Sequence, residues 1–134
     1  EMVRIALADE PRMAASDCEF RLPRPSYMWH TLQSLAKNYP GREFVLLIGA
    51  DNWARFDQWY AAHEIIANHR IVVYPREGTP LNPASFPPNV TLADTGLIPG
   101  SSTEVRRRIA CGQSIDGLVP PVVADFIRKN NLYL

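Results

Sequence analysis

Apolar residues recur along this chain in short blocks, separated by stretches rich in proline and charge. Met2, Ile5, Ala6 and Asp9 have helical spacing, and Pro11 stops the pattern. Met13 to Phe20 fits a strand running into the loop Arg21-Leu22-Pro23-Arg24-Pro25. Ser26 stands where it could cap a helix, with Tyr27, Leu32, Leu35 and Ala36 on the inner side and Pro40-Gly41 at the end. Glu43 to Ile48 is a short apolar run closed by Gly49, the pattern of a strand buried on both faces. Asp51 to Trp59 is aromatic and broken, and Ala61 to Asn68 reads as a helix through Ile65, Ile66 and Ala67.

Arg70 to Tyr74 is a second buried strand, stopped by Pro75. Four prolines between Glu77 and Asn89 predict a surface loop, and Val90 to Ala93 a third strand. Ser101 to Cys111 reads as a helix stopped at Gly112, and Pro120-Pro121 opens a last helix through Val122, Val123, Phe126 and Ile127. Strands alternating with helices predict an α/β fold with a mostly parallel sheet and helices on both faces. Ligands of such sheets bind at the carboxyl ends of the strands. The loops after Gly49, after Tyr74 and before Ser101 are therefore the places for chemistry.

A length of 134 residues suits a single domain, and no interior linker or repeat breaks it. Fourteen basic and fourteen acidic residues balance to zero net charge, which argues against non-specific nucleic-acid or anionic-membrane binding. No apolar run approaches a membrane span. Cys18 and Cys111 stand far apart with no C-x-x-C, so a zinc ribbon or redox dithiol is not expected and a reduced, cytoplasmic setting fits. The start, Glu1-Met2-Val3-Arg4, lacks a signal-peptide layout, and a chain opening on Glu within a helical pattern looks cut. The sequence leaves the oligomeric state open, a homo-oligomer included.

Four constellations could carry chemistry. Gly49-Ala50-Asp51-Asn52 follows a strand: glycine lets the backbone turn and a ligand approach, and Asp51 can hold ribose hydroxyls or cap a helix. Trp53, Phe56 and Trp59 could offer a ring for a flat heterocycle or simply fill a core. Gly100-Ser101-Ser102-Thr103-Glu104-Val105-Arg106 has capping-box spacing at Ser101 and Glu104, and a helix start with hydroxyls and an arginine one turn on can also cradle phosphates. Arg24-Pro25-Ser26-Tyr27 could grip a small anion or serve as a loop and cap. His30, His63 and His69 show no metal spacing, and neither G-x-G-x-x-G nor G-x-x-x-x-G-K-[ST] occurs. From these residues alone the reading reaches a nucleotide- or phosphate-binding α/β domain.

The order of the motifs adds to this. Ser26-Tyr27 opens a helix holding Thr31-Leu32; then come Phe44-Val45-Leu46-Leu47-Ile48-Gly49-Ala50-Asp51-Asn52, Phe56-x-x-Trp59, Ile71-Val72-Val73-Tyr74-Pro75-Arg76-x-Gly78, Ser101-Ser102-Thr103-Glu104-Val105-Arg106, and Leu118-Val119-Pro120-Pro121 before Asn131-Leu132-Tyr133. Over essentially its whole length the chain resembles the bacterial nicotinate-nucleotide adenylyltransferases. The resemblance implies a Rossmann-like nucleotidyltransferase fold and transfer of an adenylyl group from ATP to nicotinate mononucleotide. It implies that Gly49 and Asp51 sit in the nucleotide site, Asp51 holding a ribose. Ser102, Thr103 and Arg106 would grip the ATP phosphates, and Trp59 would stack on the nicotinate. Ser26, Tyr27 and Met28 would approach the nicotinate carboxylate. Magnesium would arrive with ATP, held mostly by phosphate oxygens and water.

Three departures stand out. Met28 replaces the usual threonine of a Ser-Tyr-Thr motif, and Gly100 replaces the usual isoleucine before Ser-Ser-Thr. The family also opens with a strand, a glycine-rich turn and a His-x-Gly-His motif that stabilises charge on the reacting phosphates, and no such motif occurs in these 134 residues. The resemblance thus implies a C-terminal part of the fold without its first βαβ unit, on the order of 30 residues, and a chain inactive by itself. Met28 leaves nicotinamide mononucleotide open as an acceptor, and a non-catalytic nucleotide-binding domain is the other alternative.

Overall fold

A computed structural model describes all 134 residues. The chain divides into two compact units: residues 17–98, and residues 1–16 together with 99–134.

The first unit is built on three parallel strands, β1 (Val45–Gly49), β2 (Arg70–Tyr74) and β3 (Val90–Leu92), in the order β1-β2-β3. The register pairs Val45 with Arg70 and Gly49 with Tyr74, then Ile71 with Val90. Between the strands lie α2 (Met28–Asn38), the single turn α3 (Ala50–Trp53) and α4 (Ala62–Asn68). The branched residues of β2 suit a pleated, packed surface. Leu46, Ile48, Ile71, Val73 and Val90 form one core with Leu32 of α2 and Ala62 and Ile65 of α4. The carboxamide of Asn89 donates to the carbonyls of Ile66 and His69, tying the end of α4 to the approach of β3. The proline-rich connection from residue 77 to 89 is irregular but for a short 3-10 turn, Pro83–Ser85, as its composition predicts.

The second unit contains α1 (Met2–Ala6), α5 (Ser102–Ala110) and α6 (Pro121–Lys129). Val105, Ile115, Val123, Ala124 and Ile127 form its core, with Met2 and Ala6 packed against it. Ser101 caps α5 by accepting a hydrogen bond from the Glu104 N–H at 3.1 Å, half of the predicted capping box. Gly112, at φ 66°, ends the turn after α5 in the left-handed region that glycine enters freely. Pro121 occupies the first position of α6.

Several expectations are corrected. Residues 13–20 form no strand: Met13 and Phe20 are exposed, no ladder lies beside them, and only a 3-10 turn forms at Cys18–Arg21. Ser26 does not cap α2; Tyr27 is the N-cap, without a side-chain bond. Leu32 points inward, but Tyr27 and Ala36 are exposed. β1 is not buried on both faces. Leu46 and Ile48 face the core, while Val45 and Leu47 remain 42 % and 62 % exposed. The period of two along a strand sends alternate residues to opposite faces, and α2 and α4 pack on only one.

This predicts a contrast between neighbours in the 134-residue chain. Leu46→Ala should cost about 2–5 kcal/mol of stability, as large-to-small core changes do. Leu47→Ala should cost less than about 0.5 kcal/mol, as for exposed positions. Urea unfolding of the two variants beside the parent measures both.

Candidate functional site

Three groups of side chains are candidates for chemistry, two in the sheet unit and, separately, one at the start of α5 in the other unit. The first lies at the carboxyl end of β1. Gly49 has φ −77°, so its lack of a side chain matters for space rather than for backbone freedom. A Cβ there would lie 2.6 Å from Asp51 Oδ1, 3.1 Å from the Tyr74 ring and 3.2 Å from Arg76 Cγ. The glycine thus lets the ends of β1 and β2 close on each other. Gly49, not Asp51, is the N-cap of α3, so Asp51 is not spent on capping. Its carboxylate is half-exposed and faces Arg76 Nε at 3.9 Å, a loose pair. Arg76 was not among the residues singled out from the sequence; its signal was the placement of Tyr74-Pro75-Arg76 directly after a strand. The chain that follows, with Leu92 and Leu97, lines an open cavity of about 500 Å³ at the carboxyl ends of β2 and β3.

The second group is a cavity of about 400 Å³ lined by Ser26, Tyr27, Met28 and Trp59, together with Glu19, Gln58 and Tyr60. Four positions expected to act together are therefore brought to one place, although 31 residues separate Met28 from Trp59. The rings of Tyr27 and Tyr60 stack at 4.7 Å, and His30 lies 5.3 Å from Tyr60. The rings of the aromatic segment differ in burial. Phe56 is core, 2 % exposed, with Trp53 and Trp59 at 5.2 and 4.9 Å on either side. Trp59 keeps part of its indole at the cavity. Ala61, next to Tyr60, has φ 55°, a left-handed conformation costing a non-glycine residue about 1–2 kcal/mol. Tyr60 carried a signal in its adjacency to Trp59. Glu19 carried none, because its partner Thr31 lies 12 residues away.

The third group is the first turn and a half of α5. Ser102, Thr103 and Arg106 are exposed and share a face, since residues three and four apart on a helix are neighbours. Three arginines follow in a row, and their partners distinguish them. Arg107 makes two bonds to Glu104, at 2.8 and 2.9 Å, and Arg108 a third at 2.8 Å. Arg106 has no carboxylate partner. The hydrogen bonds of Arg107 and then Arg108 hold the Glu104 carboxyl at about 2, below its ordinary 4.5, and the same contact pushes the Arg107 guanidinium up. The start of α5 therefore retains one guanidinium among three without a carboxylate partner. No three acidic, histidine or cysteine side chains converge as a metal cage.

The architecture matches that of known proteins. A nicotinic acid mononucleotide adenylyltransferase of Plasmodium falciparum, solved in complex with NaAD, superposes with a TM-score of 0.65 over 80 % of this chain and 57 % of its own, at 20 % identity. A structure from Vibrio parahaemolyticus described as a nicotinate-nucleotide adenylyltransferase gives 0.64 over 88 % of this chain and 57 % of its own, at 22 % identity. The fold is that of the α/β nucleotidyltransferases. Among curated relatives, proteins named nicotinate-nucleotide adenylyltransferase from Bacteroides fragilis and Flavobacterium johnsoniae are 44 % and 38 % identical over 92 % and 99 % of this chain. The chain belongs to the nicotinate-nucleotide adenylyltransferase family. It spans 61 % of the length of the Bacteroides fragilis relative and 70 % of that from Flavobacterium johnsoniae. No family model matches the sequence. No helix is long and apolar enough to cross a membrane.

The Glu104 contacts give a signed pH dependence. A carboxyl depressed in the folded state contributes stability that is present above pH about 4.5 and lost as pH falls through about 2. An NMR titration of the Glu104 side chain should give a midpoint near the lower value, and Arg107→Ala should move it toward 4.5.

Proposed function

We propose that this chain supplies the acceptor pocket and the triphosphate grip of an enzyme that joins ATP to nicotinate mononucleotide. A phosphate oxygen of the mononucleotide attacks the α-phosphorus of ATP in line; the new O–P bond forms as the α–β bridge breaks, releasing pyrophosphate and the dinucleotide. The reading is carried by one observation: the cavity that gathers Ser26, Tyr27 and Met28 around Trp59. Trp59 stacks on the pyridine ring. Ser26 and the backbone at Tyr27 and Met28 approach its carboxylate. Asp51, beside the Gly49 turn, holds ribose hydroxyls. Ser102, Thr103, the N–H groups of the α5 start and Arg106 hold the ATP phosphates, where charge builds as pyrophosphate leaves. Magnesium would come with ATP, held mostly by phosphate oxygens and water. What these residues supply is positioning and fixed charge, without a covalent intermediate.

The assignment predicts opposite ligand selectivities for two variants. Arg106→Ala removes a charge-assisted phosphate bond worth about 1.5–3 kcal/mol, so ATP should bind roughly 10- to 150-fold more weakly and nicotinate mononucleotide almost unchanged. Trp59→Ala should do the reverse. Calorimetric titration of each variant with each ligand measures both, and equal losses for both ligands in both variants contradict the assignment.

A second prediction concerns the reaction. These 134 residues contain no His-x-Gly-His, and we expect the purified chain to release no detectable pyrophosphate from ATP and nicotinate mononucleotide. Turnover by the chain itself would refute that.

A further inference from the structure

Thr31 is the one buried polar side chain of the molecule, 6 % exposed in the first turn of α2. Its hydroxyl has a single proton to donate. Two acceptors lie near: Glu19 Oε1 at 2.8 Å and the Tyr27 carbonyl at 3.4 Å. The shorter, charge-assisted bond takes the proton. A buried hydroxyl without a partner is costly, so Thr31 holds Glu19 and not only the converse. Glu19 belongs to the Cys18–Arg21 turn, which contains no buried residue. It is also the one acidic side chain lining the Trp59 cavity.

We propose that the Glu19–Thr31 hydrogen bond is a latch that positions the acceptor pocket: it ties the 18–21 turn to α2 and thereby sets Ser26, Tyr27 and Met28 against Trp59 and Tyr60. The proposal rests on the reading of that cavity as the mononucleotide site. Three features support it. The bond spans 12 residues, and the six-residue link from Leu22 to Tyr27 holds two prolines and no regular structure, so its placement depends on its two ends. The N-cap of α2, Tyr27, has no side-chain bond of its own to fix the helix start. Tyr27, one ring of the Tyr27–Tyr60 stack at the cavity, is also the residue whose carbonyl accepts from the Thr31 N–H at 3.2 Å. Glu19 and Thr31 act through the residues they position and are positioning residues.

The test compares Glu19→Ala, Glu19→Gln and Thr31→Val with the parent chain. Glutamine keeps a carbonyl acceptor for the Thr31 hydroxyl; valine keeps the shape of threonine without the hydroxyl and stands in if Glu19→Ala does not fold. Nicotinate mononucleotide and ATP are titrated calorimetrically, and backbone amide resonances are recorded without ligand. The latch predicts at least tenfold weaker mononucleotide binding in Glu19→Ala and Thr31→Val, with ATP within twofold of the parent and Glu19→Gln restored to within threefold. It also predicts ligand-free shifts at Tyr27, Met28, Trp59 and Tyr60 in those two variants but not in Glu19→Gln. A structural role alone would lower both affinities together, and that outcome overturns the proposal, as does unchanged mononucleotide affinity. A parent chain that binds no mononucleotide refutes the reading of the cavity and the ligand half of the proposal with it. The amide shifts still decide the latch: movement confined to those four residues sustains it, and none ends it.

Discussion

In a parallel ladder all strands end at the same edge of the sheet, and the pairing of Gly49 with Tyr74 makes the ends of β1 and β2 level. That register brings the backbone after β1 against the chain leaving β2. The approach is so tight that a single methyl at position 49 would meet Asp51, Tyr74 and Arg76 at once. Everything beyond the strand end inherits this constraint. The turn into α3 begins at Gly49, the Asp51 carboxylate is left outside the capping role, and the aromatic segment that follows reaches the Trp59 cavity. Core packing of Ile71, Val73 and Val90 holds the register, and the register positions the groups that could meet a ligand.

Much of this was legible in the order of residues, because the signals were local. The three strands follow from short apolar runs, the first two closed by Gly49 and Pro75. Helix α5 follows from Ser101, Glu104 and Gly112, each acting within one or two turns of the helix. Errors came where a local pattern depends on what lies beside it. Residues 13–20 have strand composition, but a strand needs a neighbouring ladder, and none is there. The run Val45 to Ile48 is apolar throughout, yet only alternate residues meet α2 and α4. Ser26 has the chemistry of a cap but lies one residue before the position that needs it, which Tyr27 occupies.

The candidate site divides in the same way. Motif order pointed to Ser26, Tyr27, Met28 and Trp59, and one cavity holds all four. It did not reveal Glu19, whose part depends on a bond to Thr31 across a stretch without regular structure. It named Arg76 within a motif but not beside Asp51, a proximity that exists only once two strands are paired. Pairwise contacts between distant residues leave no periodicity to read.

The distribution of internal partners separates structural charge from available charge. Glu104 binds Arg107 and Arg108; Arg128 binds Asp116 and Asp125; the Asp116 carboxyl is held low by the Ser114 hydroxyl and by Arg128. These groups stabilise the second unit by satisfying one another. Arg106 stands beside them on the same helix with no such partner, and Asp51 has only a loose one. A charged side chain that the fold leaves unsatisfied keeps its full attraction for an incoming ion, whereas one already paired must first give up a bond of comparable strength. Glu104 therefore sorts the arginines of α5 into committed and uncommitted ones. By engaging two of three adjacent arginines it leaves the third, one turn along from the helix start, as the one whose charge no carboxylate of this chain meets, which is why the proposed phosphate grip is assigned to Arg106 and not to its neighbours.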